Sequence, residues 1–332
     1  MELVSPAGNL PALEAAVAAG ADAIYVGFRD QTNARAFPGL NFSENELGRG
    51  IAHAHRHGRR VYIALNTYAE TARLQDWRAA VDRAAGLAAD AIIVADPAVL
   101  DYAARRHPEL PRHVSVQGSA TTAAALAWLH ERFGVARAVL PRVLSVEQVE
   151  RVAAAAPVPL EVFAFGSLCI MVEGRCQLSS YLTGASPNRH GVCSPARFVR
   201  WEEHPDGGRS VRLNQVLIDR YEPDEAAAYP TVCKGRFAVQ GEIFHALEEP
   251  TSLNTLPLLP RLRAAGVKAL KIEGRQRGAA YVRAVVSTWR AAIDSLPAAG
   301  NEWTPRADWQ GTLAHHAEGH QTTLGPYHRA WH

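Results

Sequence analysis

The chain has 332 residues, 48% of them hydrophobic and 20% charged, with 35 basic against 33 acidic side chains. That composition excludes a disordered chain, and a net charge of +2 gives no reason to expect a nucleic-acid partner. No window approaches 18 uncharged apolar residues, so no transmembrane segment is expected. The opening "MELVSPAGN" resembles neither a signal nor a transit peptide, and a cytoplasmic location follows as the expectation.

Short β-branched runs alternate with alanine-rich helical stretches through the first half. Strands are expected at 2–5, 23–27, 60–66, 91–96, 113–117, 137–142 and 160–165. Helical patterns lie at 9–19, 44–57, 74–88, 97–106, 119–133 and 145–155, and Gly20, Gly58 and Gly134 suit left-handed caps. Continuous apolar strands imply burial on both faces, hence a parallel sheet covered by helices. The pattern resumes with a helix at 255–266, a strand at 268–274 and a helix at 279–296. Eight strands predict an α/β fold of the (β/α)8, TIM-barrel-like kind, built from 1–165 and 251–296, with a doubly wound open sheet as the alternative. The first strand is followed by "SPAGNLPAL" rather than GxGxxG, which argues against a dinucleotide crevice.

Residues 166–250 break the alternation with short strands and turns. The segment is too long for an ordinary loop and reads as a cysteine-rich lobe inserted after strand seven, over the barrel mouth. The tail from 297 to 332 gives no indication of whether it packs on the body.

All four cysteines, Cys169, Cys176, Cys193 and Cys233, fall within that lobe, with six, sixteen and thirty-nine residues between them. In a large chain without an export signal this argues against a disulfide framework. Four thiolates suit zinc or an iron–sulfur cluster, and the absence of a close CxxC pair leans toward the cluster. A cysteine nucleophile with His190 three residues before Cys193 stays open, as does simple core packing.

Polar residues at the C-terminal ends of parallel strands converge on one face. Ser5, Asn66, Asp96, Gln117, Arg142 and Glu273 occupy such ends, although Asp96 before Pro97 would equally cap a helix. "KIEGRQRG" crowds Lys271, Glu273, Arg275 and Arg277 at the end of the last strand. A buried Glu273 needs a cationic partner, for which Arg142 and Arg35 are candidates, and the same cations suit an anionic small molecule. Candidate catalytic residues are therefore Glu273, Arg142, Lys271, Arg275 and Arg35.

"EVFAFGSLCIMVEGRCQLSS" (161–180), "GVCSP" (191–195), "YPTVCKGR" (229–236) and "KIEGR" (271–275) together resemble the U32 peptidase family, and the likeness extends over about residues 1 to 296. Within it, "RCQLSSYLTGASPNRHGVCSPARFVRW" and "LEEPTSLNTL" are similar to the branch that serves ubiquinone biosynthesis without oxygen. The resemblance implies one [4Fe–4S] cluster ligated by Cys169, Cys176, Cys193 and Cys233. It also implies oxygen-independent hydroxylation of the isoprenoid quinone precursor with a prephenate-like oxygen donor. The implied partners are a UbiV-like subunit and a lipid-carrier protein that presents the precursor. A chain ending soon after the 279–296 helix fits the short quinone-pathway type better than the longer collagenase-like or RNA-modifying members. No Ser/His/Asp set or HExxH stands out for proteolysis.

Overall fold

The β-branched runs do become a closed parallel barrel. A computed structural model describes residues 1–36, 39–171, 175–187, 193–296 and 303–328. The strands are β1 (Glu2–Pro6), β2 (Ala23–Val26), β3 (Arg60–Leu65), β4 (Ala91–Val94), β5 (Arg112–Val114), β6 (Val135–Val139) and β7 (Leu160–Ser167), with a closing strand at Ala269–Ile272. The closing strand pairs in parallel with both β1 and β7, so the eight strands form a ring without an edge. An open doubly wound sheet is thereby excluded.

Helices α1 (Leu10–Ala18), α2 (Glu44–Arg56), α3 (Leu74–Gly86), α4 (Pro97–Arg106), α5 (Ala123–Phe133) and α6 (Val146–Ala155) return the chain from each strand to the next. Their starts are set by local chemistry. Ser43 with Glu46, and Ser145 with Gln148, form reciprocal capping boxes that satisfy otherwise orphaned backbone donors. Asn9, Asp96 and Thr122 cap α1, α4 and α5 with single side chains, and Gly134 ends α5 in the left-handed region. Burial divides into a large core between strands and helices, which includes Trp77 and Trp289, and a smaller interior cluster of Val4, Ala23, Tyr25, Tyr62 and Ile93.

β5 and β6 each end three residues before their sequence pattern does. β5 stops at Val114 because Ser115 Oγ accepts from Gln117 N at 3.2 Å and starts a 3-10 turn, Val116–Gly118. β6 stops at Val139, two residues before Pro141, which has no N–H to continue a ladder. The expected 255–266 helix likewise shortens to Leu259–Ala264 behind a 3-10 turn that contains Pro257.

After Ser167 the chain leaves the barrel. It forms α7 (Gln177–Thr183), a three-stranded antiparallel sheet (Val199–Glu203, Arg209–Leu213, Val216–Tyr221) and a hairpin (Phe237–Val239 with Glu242–Phe244). This lobe has its own small core of Val211, Leu213, Ile218 and Tyr221. It returns at Ser252–Asn254, which runs antiparallel to the end of β7. The helix Ala279–Asp294 follows the closing strand, and beyond it the described tail packs on the body. The helix Ala307–His316 buries Leu313, and Thr322–Thr323 pairs with Ser252–Leu253. Among the described residues, no helix is long and apolar enough to cross a membrane.

Candidate functional site

The C-terminal ends of the barrel strands and the overlying lobe enclose one cavity. Its wall carries Arg35, Arg142, Lys271, Glu273 and Arg275, all five of the candidate catalytic residues, together with Asn66 and Gln117. Cys169, Cys176 and Cys193 line the same space from the lobe side. Tyr25, Ile93, Val139 and Phe163 supply its apolar surface.

Each charged group is held by a specific neighbour. The Arg35 guanidinium stands 3.7 Å from Glu273, whose other oxygen accepts from Ser167 N at 3.3 Å. Burial opposes the Glu273 charge, but Arg35 and Arg142 more than offset it and hold the carboxyl below its usual range. Arg142 donates to Ser167 O at 2.5 Å and lies over the Phe163 ring at 4.3 Å. Arg275 is 4% exposed and donates to Asn33 Oδ1 at 3.1 Å rather than to a carboxylate. Burial lowers its pKa to about 10.

Lys271 belongs to the cavity and also to an ion ladder beneath it. Its ammonium contacts Glu161 at 2.6 Å and stands 3.9 Å from the centre of the Tyr25 ring. Glu161 reaches Arg137 at 3.2 Å, Arg137 reaches Glu2 at 2.7 Å, and Glu2 reaches Arg60 at 2.8 Å. Burial again opposes ionisation of Glu161, yet Lys271 and Arg137 hold it as a carboxylate. His113, edge-on to Tyr62, is pushed down to about 3 by burial and the nearby Arg137, so it is neutral at ordinary pH. Glu161, Arg137, Glu2 and His113 were absent from the sequence candidates. The available signal was a lone charge inside an apolar strand run, such as Glu161 in "LEVFAF", since a charge there must be paired.

The remaining strand-end candidates do not face the cavity. Ser5 is fully buried and its hydroxyl donates to Pro6 O. Asp96 accepts from Ala98 N, Val99 N and Ala69 N, so it caps α4 and ties down a loop. Arg277 lies at the rim, over the Tyr281 ring. Each has a structural duty.

The four thiols are free and partly buried. Cys176 caps α7, its sulfur accepting from Ser179 N at 3.4 Å, while Ser179 Oγ donates to Cys193 O. One short helix therefore ties two of the cysteines together. Burial pushes the Cys193 and Cys233 thiols up to about 11; the other three cysteines act at Cys193 in the same direction, and Arg35 opposes them. The thiols thus share one electrostatic neighbourhood with the cationic wall. Among the described residues, no three Cys, His, Asp or Glu side chains are arranged to hold a single metal ion. His190 lies outside the described residues.

Comparison with known sequences adds a family and a chemistry. The sequence model of peptidase family U32 matches residues 8–328. tRNA hydroxylation protein P of Escherichia coli strain K12 is 31% identical over 322 residues, covering 90% of this chain and 68% of its own length. tRNA hydroxylation protein P1 of Bacillus subtilis strain 168 is 30% identical over 316 residues, covering 93% of this chain and 66% of its own. A 23S rRNA 5-hydroxycytidine synthase of Escherichia coli strain K12 is 27% identical over 299 residues, which are 89% of this chain and 40% of that protein. The chain spans about two thirds of the length of the first two relatives. All three names speak of RNA hydroxylation or its product, and none of quinone biosynthesis.

Proposed function

The chain belongs to peptidase family U32, and from that premise we propose that it is the cluster-bearing subunit of a hydroxylase that oxygenates an aromatic ring without dioxygen. The single observation that carries this reading is the shared cavity, in which three cysteines face four cations across an apolar floor.

The donor set suits the cofactor. A mononuclear tetrahedral site gathers its sulfurs about 2.3 Å from one point, whereas a cubane spreads them over its corners. Four thiols that share one neighbourhood suit a [4Fe–4S] cluster on Cys169, Cys176, Cys193 and Cys233. When bound, such a cluster supplies one-electron transfer. Four thiolates occupy its ligand positions, so none is left to serve as a peptidase nucleophile.

The remaining groups are the chain's own contribution. Arg35, Arg142, Arg275 and Lys271 gather on one wall of the cavity beside Glu273, and guanidinium and ammonium groups clustered in this way suit an anionic ligand. A prephenate-like dicarboxylate suits that wall as the oxygen donor. Guanidinium forks would fix its carboxylates, while Tyr25 and Phe163 offer apolar contact to a ring. Converting a ring C–H to C–OH is a two-electron oxidation, and the donor that loses its oxygen is reduced by the same amount.

Two rings are candidates. The similarity of residues 175–201 to the quinone branch favours the isoprenoid ubiquinone precursor, offered by a lipid carrier and handled with a UbiV-like subunit. The names of the relatives favour an RNA base instead, and reopen the expectation of no nucleic-acid partner. The test is anoxic purification with iron and sulfide analysis and electron paramagnetic resonance. Prephenate is then supplied with either the isoprenoid phenol or unmodified tRNA, and mass spectrometry follows the gain of one oxygen. Oxygen appearing in the phenol supports the quinone reading and oxygen in the tRNA the RNA reading. Zinc without iron in anoxic material sinks the cluster.

A further inference from the structure

Glu318 lies in the tail, far in sequence from every cysteine, yet it joins both ends of the cysteine lobe. Its carboxylate accepts from Ser167 Oγ at 2.8 Å and pairs with Lys234 Nζ, which itself donates to Ser167 Oγ at 3.3 Å. Ser167 ends β7 two residues before Cys169, and Lys234 directly follows Cys233 in the 3-10 turn Val232–Lys234. Lys234 and Glu318 side chains are only 11% and 22% exposed, so water screens the pair weakly.

The tail is seated firmly enough to serve this purpose. Glu318 N donates to Ser252 Oγ at 3.0 Å, and the Thr322–Thr323 strand continues onto Ser252–Leu253. Gly319 has φ +59°, and a Cβ there would meet Pro250 O at 2.3 Å, so a glycine is needed for this close approach. Downstream, Tyr327 is buried.

We propose that Glu318 is a positioning residue for the cysteine site, clasping the turn that bears Cys233 against the strand end that leads to Cys169. The inference rests on the reading that these cysteines share one cluster. Cys233 needs such a clasp most, because it is the last of the four in sequence and comes after the exposed sheet strand Val199–Glu203 and a long excursion through the lobe.

The test uses the full chain with Glu318→Gln, the swapped pair Lys234→Glu with Glu318→Lys, and Arg261→Ala as a surface ion-pair control. In metal-free, reduced protein, iodoacetamide labelling of each cysteine is followed by mass spectrometry. In a second arm, iron and sulfide are reconstituted anoxically and cluster loss in air is followed by absorbance and paramagnetic resonance. Glu318→Gln is expected to speed Cys233 labelling about tenfold relative to Cys176, the scale of one lost charge-assisted contact. Cluster loss should quicken by a similar factor, the swapped pair should recover both, and the control should change neither. Should Glu318→Gln fail to fold, Lys234→Met tests the same contact from the lobe. Unchanged Cys233 labelling, or an equal rise at all four cysteines, overturns the clasp. Selective Cys233 labelling in a protein that takes up no iron supports the clasp and sinks the cluster reading instead.

Discussion

The lower and upper halves of the barrel interior use the same residue types to opposite ends. Below, Arg60, Glu2, Arg137, Glu161 and Lys271 alternate in sign, each within 3.2 Å of the next. Above, Arg35, Arg142 and Arg275 share the cavity wall with Glu273, which stands 3.7 Å from Arg35, and Arg275 turns to an amide. A buried charge is costly unless paired, so the lower ladder is internally complete and holds the ring together. The upper group lines the cavity instead, where under the proposed function its cations would meet an anionic ligand. Close carboxylate pairing, more than burial, marks the lower ladder as structural.

The largest effect should come from breaking the ladder at its centre. Glu161→Gln leaves Arg137 and Lys271 without their shared carboxylate, a loss of about 3–5 kcal/mol. Thermal unfolding should shift down by roughly 5–10 °C. A shift no larger than that of a surface variant would show that the ladder is not the structural half of the pair.

The same ladder predicts an acid limb. The His113 pKa falls from 6.5 to about 3 on folding, so below pH 6.5 the unfolded chain takes up a proton that the native chain refuses. Stability therefore declines as pH drops, by roughly 3 kcal/mol between pH 6.5 and 4.5. Glu2, lowered from 4.5 to about 2, adds its own loss only below pH 4.5. Denaturant unfolding at pH 7, 5.5 and 4.5 should show a flattened upper part of this limb in His113→Gln. An identical slope in variant and parent would mean that His113 is hydrated and free to protonate.

The upper half should respond in affinity rather than stability. Arg275→Gln removes a buried cation that contacts no carboxylate among the described residues, so under the proposed function melting should change little while prephenate binding weakens about tenfold, near 1.4 kcal/mol. Calorimetry on reconstituted protein reads the affinity. A large melting loss with unchanged affinity would assign Arg275 to the ladder's class.

These two halves were not equally legible in the sequence. The barrel strands were readable because both of their faces are apolar, and the upper cations because strand ends of a parallel barrel converge. Arg35, Arg142, Lys271, Glu273 and Arg275 thus fall around one cavity. The ladder was hidden because which residues point inward depends on strand tilt and stagger, which no single strand encodes. Glu161 and Arg137 sit on neighbouring strands, and their meeting at 3.2 Å needs the register of both. Glu318 was hidden for a different reason, since its partners Ser167 and Lys234 lie 151 and 84 residues before it, across the closing strand and the last barrel helix. Ser5 and Asp96 sit at strand ends too, but local backbone groups claim their side chains before the cavity can.

Asp96 gives the smallest and most discriminating case, because by position it belongs with the upper group and by contact it does not. Its carboxylate accepts from Ala98 N at 2.7 Å and Ala69 N at 2.9 Å, which are duties of a cap. Asp96→Ala should therefore cost about 1 kcal/mol of stability, the usual worth of an N-cap. Prephenate affinity should stay at the parent value, whereas Asp96→Asn should retain much of the stability because an amide oxygen also caps. A loss of affinity in Asp96→Ala beyond its loss of stability would show that the upper charge field reaches past the cavity wall. The division would then lie between strand ends and strand middles rather than between the ladder and the cavity wall.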